Sequence, residues 1–143
     1  MTVRRIILAV FLVSAVGGGV ELLLLGHTET AWQLVPLVLL AVGTVAAVVA
    51  AARPARVTMR AFQGLMGLFV VAGLLGLYLH YSGNVEFERE MYPSLAGLEL
   101  FRKAITGATP ALAPAFMLQL GALGLAWSYM HPRTTDDGRR TTA

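Results

Sequence analysis

The chain has 143 residues, of which 57% are hydrophobic and 13% charged, with a formal net charge of +3. Soluble domains carry about 25% charged residues, so this composition argues against a water-soluble globule, and basic residues placed beside apolar runs mark membrane topology rather than nucleic-acid binding. The lack of cysteine excludes structural disulfides, thiolate metal sites, covalent c-type haem and CxxC redox enzymes.

Crossing the hydrocarbon takes about 20 apolar residues in a helix, and four stretches meet that length. The first covers residues 6–25 and is interrupted only by Glu21. Arg4 and Arg5 ahead of an apolar run ending in Ala15-Val16-Gly17 resemble a signal peptide. The run continues to Leu25, however, so it reads as an uncleaved first span. At 100° per residue Ser14, Gly17, Gly18 and Glu21 share one side, which predicts that Glu21 points into the bundle. An acidic side chain inside a span is a candidate proton or ligand site, with Gln119 or a tyrosine hydroxyl as its hydrogen-bond partner.

The second stretch, 32–52, holds no charge and carries Gly43, Ala47 and Ala51 at four-residue spacing. Arg53, Arg56 and Arg60 connect it to the third, 61–81, which pairs Gly64 with Gly67 and Gly73 with Gly76. Small residues at such spacing let helix backbones approach closely in lipid. Trp32, Tyr78 and Tyr81 fall where an outer aromatic belt belongs. His27 and His80 lie at the same outer ends, and two imidazoles on different helices are the donor set that would ligate one haem b. His131 stands alone at the inner end.

Residues 82–110 form the longest connection, and connections this long carry function or structure of their own. The alternation from Asn84 to Met91 predicts an extended strip, with Glu86, Glu88 and Glu90 as a solvated face rather than a cation site. Pro93-Ser94 reads as a helix start. Leu95, Leu98, Phe101 and Ile105 then recur at helical spacing, with Glu99 and Lys103 on the wet side, and Gly107 ends this short interfacial helix. Glu86, Phe87, Glu88, Leu98 and Phe101 are the expected partner-docking residues. Thr109-Pro110 opens the fourth span, 111–130, in which Pro114 lies early enough to be tolerated. Gly121, Gly124 and Ser128 mark one face of that span, and Ala115, Gln119, Ala122 and Ala126 the opposite face. Trp127 and Tyr129 are expected to close it at the inner boundary.

Counting Lys and Arg sets the orientation. Arg4, Arg5, Arg53, Arg56, Arg60, Arg133, Arg139 and Arg140 lie on one side, against Arg89, Arg102 and Lys103 on the other. The first side is expected to be cytoplasmic, with both termini inside. Small multidrug-resistance transporters are similar in length, span count and a first-span glutamate, but their loops are short throughout, and the likeness implies no function here. No nucleophile-and-base set, phosphate loop or dinucleotide fingerprint is present.

The expectation is therefore an all-α membrane protein of a bacterial plasma membrane. It is a single four-transmembrane-helix bundle with an amphipathic helix in the outer loop between helices 3 and 4. It has no enzymatic activity and no metal, and acts as an accessory subunit touching lipid, other subunits or a second copy of itself. A proton-coupled transporter using Glu21 and a haem b or quinone-associated redox subunit using His27 and His80 are the alternatives.

Overall fold

The computed structural model describes residues 3–107 and 110–129. Thr109, Met130, His131 and the tail with Arg133, Arg139 and Arg140 lie outside the described residues. Five helices follow one another: α1 (Val3–Leu24), α2 (Ala31–Ala52), α3 (Arg56–Met91), α4 (Gly97–Ile105) and α5 (Ala115–Tyr129). Three of them, α1, α2 and α3, are long and apolar enough to cross a membrane. With 15 residues, α5 rises about 22 Å, short of the ~30 Å hydrocarbon.

The α1–α2 connection is held at both ends. Gly26, at φ 65°, occupies the left-handed position that glycine adopts without Cβ strain. Around it Gly26 N–H donates to Leu23 O and His27 N–H to Leu22 O, the paired bonds of a Schellman stop. Thr30 then opens α2 with a capping box, its hydroxyl accepting from the Gln33 N–H while the Gln33 side chain accepts from the Thr30 N–H.

α1, α2, α3 and α5 form a ring, each packing on two neighbours: α1 on α2 and α5, and α3 on α2 and α5. Contacts fix the directions. Gly18 late in α1 meets Phe116 early in α5, while Arg4 at the start of α1 lies over the Trp127 ring near the end of α5, at 5.6 Å. Neighbours are thus antiparallel. The centre is filled by Phe11, Phe62, Met66, Phe69 and Trp127, each at most 1% exposed. Phe62 meets Trp127 edge-on at 5.2 Å and Phe11 at 5.8 Å, the geometry that ring quadrupoles favour.

Outside that core the exposed residues are mainly aliphatic. Val10, Val13, Val16 and Val20 line the outside of α1, and Val38, Val42, Val45 and Val48 that of α2. A surface of branched aliphatics over a core of glycine, alanine and aromatics suits lipid as the surrounding solvent, where close backbone approach drives packing.

The structure corrects three expectations. Residues 84–91 are not an extended strip but the last turns of α3, which runs for 36 residues; local alternation yields to the helix already propagating from below. On α1 the buried line is Phe11 and Ala15 with half-buried Gly18 and Leu22, so Glu21 faces outward. Trp127 is a core residue rather than a boundary ring; its indole fills the space opposite Phe62.

Candidate functional site

α3 outlasts any bilayer. Its 36 residues rise about 54 Å, whereas the apolar stretch ends near Tyr81. The remaining turns stand beyond it as a stalk, and α4 is folded back onto them. Asn84, 4% exposed, holds this junction by donating from Nδ2 to Ala104 O at 2.8 Å. Gly107 fits beside the same amide, where a Cβ would lie 3.0 Å from Asn84 Cγ. Tyr81 and Phe101 bring their rings within 6.0 Å, and the Lys103 ammonium sits 4.0 Å from the Tyr92 ring centroid. The stalk and α4 together make a cap.

The five expected docking residues lie on this cap, though not on one face. Leu98 is 72% exposed, with Phe87 and Phe101 close to half. Glu88, one turn beyond Asn84, is half-buried on the side that meets α4, and Glu86 is exposed about 160° away around the helix. The helix therefore turns Glu88 away from Glu86 and Glu90, which stay on one exposed face four residues apart, where a strand would have aligned all three.

Beneath the cap lies the histidine pair. Pro114 has no N–H to give to Pro110 O, and its ring would strike that carbonyl in a regular α-helix. The chain instead tightens through i to i−3 bonds, Ala113 N–H to Pro110 O and Met117 N–H to Pro114 O among them. His80 Nδ1 lies 3.2 Å from the Pro110 carbonyl. A carbonyl only accepts, so Nδ1 is the donor in this contact. His27, held at the Schellman stop, is near enough to feel His80: burial first, and the His80 ring second, push its pKa below the ordinary value of 6.5. The fold thus puts both histidines at the same end of the helix ring, near enough to interact electrostatically. Among the described residues no group of three or more His, Cys, Asp or Glu side chains gathers as metal ligands.

Glu21 and Gln119 are separated. Both are exposed, flanking the contact of Gly18 with Phe116 from outside the bundle. Since α1 and α5 are antiparallel, three residues beyond that contact on each helix places them roughly 9 Å apart along the axis. Neither side chain has a hydrogen bond or ion pair among the described residues.

Two polar contacts escaped the sequence reading. Gln63 Nε2 donates to Ser128 Oγ at 3.2 Å, and that hydroxyl donates to Leu125 O at 2.9 Å, joining the start of α3 to the end of α5. The only sequence signal was a glutamine within an apolar run. The Asn84 latch gave none, because its partner is a backbone carbonyl 20 residues away. No protein-family model, curated protein or solved structure matches this chain.

Proposed function

We propose that this chain is a non-enzymatic accessory subunit of a bacterial plasma membrane, working through its lipid-level helix faces and its outer cap. Four crossings complete the reading. The tightened segment 110–114 adds about 10 Å at ~2 Å per residue to the ~22 Å of α5, which together match the hydrocarbon thickness. The charge asymmetry of the loops then puts both termini in the cytoplasm. The observation that carries the role is the cap: a helix continuing past the bilayer, braced by a buried Asn84 bond and presenting Phe87, Leu98 and Phe101 to the outside. Exposed rings on a rigid support are the anchors through which protein contacts gain most of their energy.

Single-cysteine accessibility tests the topology. Labels at Arg56 and Thr135 should react only from the cytoplasm, and one at Ser82 only from outside. The role is tested by mild-detergent purification: a stoichiometric partner should be retained by the native chain and lost on Phe87→Ser with Leu98→Ser. Retention by the double variant would refute the cap as the contact.

The electrostatic proximity of His27 and His80 favours a second reading, a redox subunit. These two residues would hold a haem b, one imidazole from the α1–α2 connection and one from α3. The bound group would supply one-electron chemistry, and Pro110 would hold the His80 ring in orientation. Purified protein should then show a Soret band that His80→Ala abolishes; a colourless preparation from haem-supplemented cells refutes this reading.

A further inference from the structure

We propose that the outward face of α5 is the seam of a symmetric dimer, with Gln119 of one copy hydrogen-bonded to Gln119 of a second copy of this chain. The inference rests on the four-crossing reading above. Gly73 meets the backbone of Leu118, and Gly121 meets Met66 O. Gln119 is therefore level with Val71 and Ala72, halfway along the apolar stretch 61–81. It is exposed there and unbonded among the described residues. A carboxamide facing hydrocarbon finds no partner in lipid, and each unmet polar group at that depth is costly.

Ala115, Gln119, Ala122, Ala126 and Tyr129 follow one another along α5 at alternating spacings of four and three, and all but half-buried Ala115 are exposed. That is an a/d seam with small residues around one polar position, the pattern of close left-handed helix pairs. The glycine face of the same helix, Gly121 and Gly124, is already spent on α3.

The chemistry chooses a second copy as the occupant. A carboxamide carries donors and an acceptor in one plane and so complements itself. A two-fold axis along the membrane normal sets the same residue of both copies at the same depth, so each Gln119 donates to the other. A single polar residue in such a seam also fixes its register.

The native chain has no cysteine, which makes the test direct. Single-cysteine variants Ala122→Cys and Val45→Cys are reconstituted in phosphatidylcholine vesicles and oxidised mildly. Val45 is exposed on α2 at the depth of Ala122, because Gly43 and Gly121 both contact Phe69. Ala122→Cys should form a disulfide dimer and Val45→Cys should not. Energy transfer between labelled copies should show Gln119→Leu dimerising roughly 3- to 20-fold more weakly, the span of measured interhelical hydrogen bonds in lipid. Equal cross-linking at both sites, or undiminished dimerisation of Gln119→Leu, overturns the seam. If Ala122→Cys in sealed vesicles reacts with a water-soluble maleimide, the fourth crossing itself fails. If it is protected and stays monomeric, only the dimer fails.

Discussion

Alanine substitutions at the glycines of α3 should change stability in opposite directions along one helix. At Gly73 a Cβ would lie 2.6 Å from the backbone N of Leu118 and 3.1 Å from its Cα. Backbone cannot rotate away, so α3 and α5 must separate by several tenths of an ångström. That movement also disturbs the contacts of Gly76 with Pro114 and of Gly121 with Met66. Forcing a methyl group into a filled interior costs about 1–3 kcal/mol. At Gly67 a Cβ meets nothing within 4 Å, and glycine in a helix interior is less favourable than alanine by roughly 0.5–1 kcal/mol. Gly67→Ala should therefore be neutral or stabilising, and Gly73→Ala destabilising, with at least ~1.5 kcal/mol between them. The assay is reversible unfolding in mixed micelles, followed by circular dichroism as the denaturing detergent fraction rises. If the two variants shift the midpoint equally and in the same direction, the α3–α5 contact is not as close as described.

Three further outcomes follow from the cap and the core. Asn84→Leu removes the donor to Ala104 O and leaves a buried carbonyl unmet, a loss of about 1–3 kcal/mol; hydrogen exchange should quicken across residues 97–105 and stay unchanged in α1 and α2. His27 has a folded-state pKa below 6.5, so the folded chain binds fewer protons than the unfolded one. Its contribution is therefore complete above about pH 6.5 and is lost as pH falls through the folded value; NMR should place its midpoint below 6.5, and His80→Ala should raise that midpoint only part of the way, because the larger cause is burial. Trp127→Ala empties the site between Phe62 and Arg4 and should cost about 3–5 kcal/mol, whereas Trp32→Ala, at a position 65% exposed, should leave the unfolding midpoint nearly unchanged.

Helix periodicity in the sequence resolves the faces of each span but not which face turns inward, and the reason is the solvent. In water a polar arc marks the outside of a helix; in lipid both arcs are apolar and hydrophobicity no longer separates them. Ser14, Gly17, Gly18 and Glu21 illustrate the ambiguity. They share a side, yet Gly17 and Glu21 are exposed while Gly18 packs on Phe116, and the inward line follows Phe11 and Ala15. What distinguishes inside from outside here is shape: rings and small residues face one another, while valines face out. The three long apolar helices and the short fourth helix were legible because they depend on length and local spacing. The stalk was not, since its residues alternate like a strand and become helical only as a continuation of α3. The histidine pair lay between: the residues were visible, but their placement depends on Gly26 ending α1 one residue before His27 and on the turn at residues 110–114 presenting the Pro110 carbonyl to His80. The same reasoning gives Gln119 its meaning. On a surface this apolar, an exposed amide at mid-span is a group able to tell a partner from lipid.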